Sequence, residues 1–261
     1  MKILIIGDVV ARPGRKVLAD QLQTLREETG ATFTIVNVEN AAGGFGITEK
    51  IFHEFEALDI HVMTTGNHVW DKREALTFIE QQPKLLRPHN YPEGTPGSGW
   101  TLVEYDGVKI GVLNVMGQAF MHPVLDSPFS SVDSVLDKEG READVIVVDF
   151  HAETTSEKVA MGWHLDGKVA AVVGTHTHIP TADERVLPGG TAYITDLGMT
   201  GCYDSVIGSD KEGVVNRMVH KIQSRLEPAT GPGSLCGIVV DVDVTTGMAK
   251  SVERVRMEQD R

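Results

Sequence analysis

Five blocks of the chain offer oxygen or imidazole nitrogen to a cation: Asp8, Glu39-Asn40, Asn67-His68, His151 and His176-Thr177-His178. Carboxylate, amide and imidazole donors without a thiolate suit a mixed O/N metal site. Taken singly, most of them have a local explanation. Asp8 suits an Asx-turn or a helix N-cap, Asn40 and Asn67 are common turn formers, and a lone His151 suits a hydrogen-bonded core position. Glu39 is harder to explain, because an unpaired carboxylate at a buried strand end costs on the order of several kcal/mol and demands a cation or an arginine. His176 and His178 carry the sharpest signal: residues two apart leave a strand on one side, and a loop can aim both imidazoles at nearby points. That spacing suits a pair of metals.

The elements that must position these groups follow from patterning. Residues 3–6 form an aliphatic run closed by Gly7-Asp8, as in a strand buried on both faces. Leu18, Leu22 and Leu25 then recur at helical spacing as far as Gly30, a C-cap candidate. The unit repeats: a strand over 33–38 runs into Glu39-Asn40 and a loop with Gly43, Gly44 and Gly46, and a helix opened by Thr48 buries Ile51, Phe52, Phe55 and Leu58. A strand over 60–64 leads to Gly66-Asn67-His68, and 72–80 reads as the next helix. Residues 101–105 and 108–115 flank Asp106-Gly107, a two-residue hairpin signal.

Strands over 145–150 and 169–173 finish on His151 and on Gly174-Thr175-His176-Thr177-His178, and group with the first three. A second hairpin around Pro188-Gly189-Gly190, a helix over 214–226 and strands over 237–244 and 248–255 complete the chain. The last strands have nothing of their own to pack on, so the reading is one domain over 1–261. Open α/β sheets bind ligands beyond the carboxyl ends of their strands, and polar groups at five such ends predict one shared site. The other histidines lack that placement: His53 and His220 read as solvated helix positions, His61 as lying within a strand, and His122 and His164 as lying in irregular stretches.

Composition narrows the class. Of 261 residues 41% are hydrophobic and 23% charged, an ordinary globular balance. Acidic residues outnumber basic ones 37 to 24, a net charge of -13 that repels a long polyanion, so extended DNA or RNA is excluded as a partner. A small phosphorylated substrate is not excluded, because bound cations invert the local sign. Cys202 and Cys236 read as two buried thiols, and no run is long enough for a signal sequence or a membrane span, so a cytoplasmic location without membrane attachment is expected. A homo-oligomer is compatible with the sequence but not specified by it.

In order and placement the blocks resemble those of the calcineurin-like metallophosphoesterase superfamily, which reads Gly-Asp, a bridging carboxylate, Gly-Asn-His, a lone His and Gly-His-x-His. Three departures, Val10 in place of a histidine, Glu39 in place of an aspartate and Val69 in place of an acidic residue, resemble the bacterial YmdB-like branch, as do Val38-Glu39-Asn40-Ala41-Ala42-Gly43-Gly44 and Gly66-Asn67-His68-Val69-Trp70. The resemblance implies an α/β fold, a four-layer α/β/β/α sandwich with mixed sheets. It also implies two divalent or trivalent ions per chain, iron first, then manganese, with zinc or cobalt behind them. One metal would take Asp8, Glu39, Asn40 and His178, and the other Glu39, Asn67, His151 and His176, with Asn40 replacing the missing histidine.

The activity so implied is a phosphodiesterase acting on small phosphodiesters, with 2',3'-cyclic nucleotides leading. His68 adjoins a ligand and can serve as general acid; a third-ligand role is the alternative. Arg12 and Arg15 could meet a phosphate but read as solvated. The Gly43-Gly44-Phe45-Gly46 loop lacks a P-loop lysine and reads as a tight turn outside the site. Rival readings are a phosphomonoesterase or nucleotidase on the same ligands, and a slow-turnover nucleotide-sensing regulator; a Rossmann-type binder is disfavoured because no GxGxxG follows the first strand.

Overall fold

In the computed structural model, which describes residues 1–223 and 225–259, the N-terminal aliphatic run is β1 (Lys2–Ile6). It is followed by α1 (Ala11–Thr29), β2 (Phe33–Asn37), α2 (Glu49–Glu56), β3 (Val62–Thr64) and the short α3 (Ala75–Phe78). Gly30 caps α1 with φ 71°, and the Thr48 side chain accepts from Ile51 N at the start of α2, as those residue types predict. The 72–80 segment is less regular than expected, four α-helical residues running into a 3-10 turn over Ile79–Gln81.

The predicted hairpin forms β4 (Trp100–Tyr105) and β5 (Val108–Met116), paired antiparallel with Tyr105 opposite Val108. Two helices that went unread follow in the second half. They are α4 (Pro128–Asp137), capped by Ser127, and α5 (Thr155–Leu165), capped by Thr154, with β6 (Val145–His151) between them. Their signals were present: Thr154-x-x-Glu157 is a capping box, and Pro128 suits a first helical turn. His164 therefore lies on α5, not in an irregular stretch, and pairs with Asp133 at 2.8 Å. His61 precedes β3 rather than lying in it, because that strand begins at Val62.

β7 (Ala171–Thr175) precedes the second hairpin, β8 (Arg185–Val186) with β9 (Ala192–Ile194). The helix expected over 214–226 is α6 (Lys211–His220), ended by Lys221 in the left-handed region; position 224, and positions 260 and 261 at the end of the predicted domain, lie outside the described residues. The last strands are β10 (Ser234–Asp243) and β11 (Met248–Glu258).

The strands form two mixed sheets, in the orders β11-β10-β1-β2-β3 and β4-β5-β6-β7-β9-β8. The grouping of the 145–150 and 169–173 strands with the first three thus needs correcting: β6 and β7 belong to the second sheet, and β10 occupies the place beside β1. Alternation along β1 shows how the layers are made. Ile3 and Ile5 join Phe33, Ile110, Val147 and Val173 in a core between the sheets, while Leu4 and Ile6 face Leu18, Leu22, Phe52 and Phe55 of α1 and α2. On the far side Leu113, Val148 and Phe150 pack on Val132 and Val135 of α4 and Met161 and Leu165 of α5. Helix, sheet, sheet, helix is the four-layer α/β/β/α order. Each fully buried aliphatic side chain contributes about 1.5–3 kcal/mol. Burial on both faces is why the strand sequences are continuous apolar runs rather than alternating ones. Within each sheet the central strands are parallel, β1 with β2 and β3, and β5 with β6, β7 and β9, so their carboxyl ends are the natural place for ligand-bearing loops.

Candidate metal centre

The carboxyl ends of β1, β2 and β3 meet those of β6 and β7 across the seam between the sheets. There His151 Nε2 stands 3.0 Å from Asn67 Oδ1, 3.1 Å from Glu39 Oε1 and 3.1 Å from His176 Nδ1. Beside this group His178 Nε2 lies 3.3 Å from Asn40 Oδ1. Asp8 joins both: its Oδ2 accepts from His176 N at 3.2 Å, and its Oδ1 is 3.9 Å from His151 Nδ1. The structure therefore brings together Asp8, Glu39, Asn40, Asn67, His151, His176 and His178. Asp8, Glu39 and His151 are essentially inaccessible to solvent.

Hydrogen bonds behind the site dictate which atoms face it. Thr175 Oγ1 donates to Asp149 Oδ1 at 2.7 Å, so at its 2.9 Å contact with His151 Nδ1 it must accept, and His151 turns Nε2 inward. His178 Nδ1 donates to the Ile207 carbonyl at 2.8 Å, and the Asn40 amide nitrogen donates to Gly44 O at 2.9 Å. The atoms left facing each other, His178 Nε2 and Asn40 Oδ1, both present lone pairs. Among the described residues Asp8 Oδ1 and Glu39 Oε1 are buried without a hydrogen-bond partner; Glu39 Oε1 is close to His151 Nε2 but not aligned with it. Buried carboxylate oxygens are rarely left so, and facing lone pairs repel unless a proton or a cation lies between them.

The electrostatics point the same way. Burial opposes charge on Glu39, yet His151 beside it holds its carboxyl below the ordinary range. Burial also opposes a proton on His151, and the Glu39, Asp8 and Asp149 carboxylates overcome it and raise His151 well above an ordinary histidine. Asp8 is raised by burial against the pull of His178 and His151, and His176 is lowered to about 3 by burial and by the neighbouring His151. The carboxylates thus demand positive charge between them. A proton on His151 supplies one, and a cation would take its place and release it. Ligand atoms of Glu39, His151 and His176 fall within 4.8 Å of one another, and the donor set, all oxygen and imidazole, fits first-row metals.

His68 lies at the rim. Its backbone N donates to Glu39 Oε2 at 3.1 Å, its Nδ1 is 2.8 Å from Asp71 Oδ2, and its ring lines a cavity of about 300 Å³ with Glu39, Asn40, His176 and His178. Gly66 is required by close approach: a Cβ there would collide with His151 Cδ2 and Nε2 and with Glu39 Oε2. Val10, where the superfamily places a histidine, is buried in an apolar cluster with Met199. Arg15 is drawn away by Ala41 O at 2.8 Å, and Arg12 lines a separate cleft.

Several supporting residues escaped the sequence reading. Asp149 is buried beneath His151, where Thr64 and Asn37 donate to its Oδ2 at 2.5 Å and 3.1 Å. An acid inside the aliphatic run 145–150 was a signal of the same kind as Glu39. Glu153 Oε2 holds His176 Nε2 at 3.1 Å. Asp196, ion-paired at 2.6 Å with the buried Lys158 of α5, accepts from Thr177 N at 3.1 Å and anchors the loop between the two histidines. Pairings of this kind, distant in sequence, leave no local signature.

Two stacked mixed sheets between helix layers, with carboxylate, amide and imidazole groups at their common edge, are those of a metallophosphoesterase. A family model described as YmdB-like protein matches residues 4–255, and the chain belongs to that family. It is 46% identical over 260 residues to the 2',3'-cyclic-nucleotide 2'-phosphodiesterase of Bacillus subtilis (strain 168), covering 100% of this chain and 98% of that one. Among solved structures, a novel phosphatase from Mycoplasma pneumoniae superposes with TM-score 0.94 at 33% identity, covering 100% of this chain and 94% of that one. A hypothetical protein from Thermus thermophilus superposes with TM-score 0.93 at 36% identity, covering the whole of both chains.

Proposed function

We propose that this protein is a metal-dependent phosphodiesterase that hydrolyses 2',3'-cyclic nucleotides, breaking the 2' ester. The observation that carries the reading is the pair of buried carboxylate oxygens, Asp8 Oδ1 and Glu39 Oε1, that have no hydrogen-bond partner among the described residues and lie in one cluster with His151 Nε2, Asn67 Oδ1, His178 Nε2 and Asn40 Oδ1. The likeness over its whole length to the Bacillus subtilis enzyme supports the substrate. Asp8, Glu39, Asn40 and His178 would hold one ion and Glu39, Asn67, His151 and His176 the second, with Glu39 shared. Iron is the first choice, manganese the second, and zinc or cobalt follow. Ions so held supply Lewis-acid polarisation of a phosphoryl oxygen and a water of lowered pKa.

The chain's own residues do the rest. Thr175 and Asp149 keep His151 Nε2 free of its proton when a ligand is needed there, and Glu153 does the same for His176 through Nε2. Asp71, accepting from His68 Nδ1, orients the ring so that Nε2 carries its proton into the cavity and delivers it to the departing 2'-oxygen. Among the described residues no helix is long and apolar enough to cross a membrane. Phosphomonoester hydrolysis on the same ligands is the second reading, favoured by the phosphatase description of the Mycoplasma relative.

The test is turnover of 2',3'-cyclic AMP and of adenosine 3'-phosphate by purified protein of measured metal content, with His68→Ala alongside. The expected result is cleavage of the diester alone, reduced by about 10²- to 10⁴-fold in His68→Ala at unchanged metal content. Equal turnover by the two proteins removes His68 from its role. Turnover of the monoester alone replaces the diesterase with the phosphatase.

A further inference from the structure

The cavity that His68 lines is mixed in character. Beside the polar Glu39, Asn40, His68, Glu153, His176 and His178 it is lined by the apolar Val10, Phe45, Ile207 and Leu226. Phe45 at the lip is 38% exposed and Ile207 51% exposed, an arrangement in which apolar surface faces water beside a highly polar centre. Phe45 is held there firmly. It sits between Gly44 (φ 97°) and Gly46 (φ 76°), where a side chain would be strained, and its loop is closed by Gly44 N donating to Asn40 O at 3.1 Å and Ala42 N donating to Gly46 O at 2.9 Å. The Asn40 amide that turns its oxygen toward His178 is itself bonded to Gly44 O, so one residue ties the loop to the metal centre. The Phe45 ring meets the His68 ring edge to face, centroids 4.9 Å apart.

We infer that Phe45, with Val10, Ile207 and Leu226 lining the same cavity, is a nucleobase subsite that stacks the base of the substrate while the metal centre holds its phosphate. The inference rests on the phosphodiesterase reading and adds two things to it. The ligand must carry an aromatic ring beside its phosphodiester, and the ring's identity matters little. Stacking is tolerant of base because every base has a π-face. The carboxylates and the amide that line the cavity have partners in the centre, Glu153 with His176 Nε2, Glu39 with His68 N and Asn40 with Gly44 O, which leaves the Thr177 and Ser209 hydroxyls as the other polar side chains beside Phe45 and gives little to read a base edge. A cavity of about 300 Å³ lies at the small end of ligand sites and holds one nucleotide rather than a chain of them.

The experiment measures kcat and KM for the 2',3'-cyclic phosphates of adenosine, guanosine, cytidine and uridine. Glycerol 1,2-cyclic phosphate serves as a diester without a ring, and the proteins are wild type, Phe45→Ala, Phe45→Leu and Phe45→Trp, all with measured metal content. The selectivity of the wild type for cyclic AMP over the glycerol ester is expected to fall roughly 5- to 100-fold in Phe45→Ala, mainly through KM, to fall in Phe45→Leu as well, and to be restored in Phe45→Trp. The four bases are expected within about tenfold of one another. Selectivity indifferent to residue 45, or lost equally in Phe45→Leu and Phe45→Trp, overturns the subsite while leaving the phosphodiesterase standing. A wild type that hydrolyses the glycerol ester and no cyclic nucleotide overturns both.

Discussion

Gly66→Ala adds a single methyl group and removes no proposed ligand, so it isolates the geometry of the centre. The new Cβ would fall inside the contact distance of His151 Cδ2 and Nε2 and of Glu39 Oε2. Carbon contacts settle at about 3.5–4.0 Å, so these groups or the β3 loop must retreat by on the order of 1 Å. They have little room, since His151 is bonded to Thr175 at 2.9 Å, its Nε2 already lies 3.0 Å from Asn67 Oδ1, and both His151 and Glu39 are buried. Overpacking of that size costs about 1–3 kcal/mol, and about 1 Å of misplacement at a reacting centre costs on the order of 10²-fold in rate. The expected outcome is a melting temperature lower by a few degrees, a reduced metal complement, and turnover of 2',3'-cyclic AMP down about 100-fold. The control is Gly94→Ala, whose Cβ meets nothing within 4 Å but whose φ is +85°. It should lose a comparable stability of about 1–2 kcal/mol with its activity intact. Gly66→Ala with full turnover and full metal content would refute the placement of His151 and Glu39 in one centre.

Two further outcomes follow from the surroundings of the site and a third from His61, just before β3. Thr175→Val removes the hydroxyl that Asp149 and His151 share, and metal affinity measured by competition with a chelator should fall about 10- to 100-fold; unchanged affinity would dismiss the Asp149–Thr175–His151 relay. Lys158→Met strands the buried Asp196 carboxylate, and unfolding by urea should show a loss of about 3–5 kcal/mol, partly recovered in Lys158→Met with Asp196→Asn; equal stability of the single variant and wild type would contradict it. His61 is lowered to about 4 by burial and by the Arg26 and Lys84 charges, against an ordinary value of 6.5. The unfolded chain therefore binds the extra proton first as pH falls from 6.5 toward 4, and native stability declines through that window, by roughly 1–2 kcal/mol once partial exposure is allowed for. In His61→Gln that share of the pH dependence should vanish when urea midpoints at pH 5 and pH 7.5 are compared.

The sequence by itself determined those features whose physics is local. Aliphatic runs closed by Gly7-Asp8, Glu39-Asn40 and Gly66-Asn67 are strands because continuous burial demands them, and Gly30, Thr48 and Asp106-Gly107 stop, start and turn the chain by backbone preferences that neighbouring residues set. The same runs marked Asp8, Glu39, Asn67, His151 and His176 as strand-end groups, and the structure gathers them. Tertiary structure decided what depends on distant partners. That β6 and β7 form a sheet with β5 and face β1 across a seam could not be read from any one strand, since strands buried on both faces look alike in either sheet. Asp149, Glu153 and Asp196 gain their roles from Thr175, His176 and Lys158, and the Gly43–Gly46 turn becomes a wall of the cavity because Asn40 ties it to His178. A hydrogen bond or a lone pair acquires meaning from what faces it, and what faces it is fixed by packing rather than by adjacency in the chain.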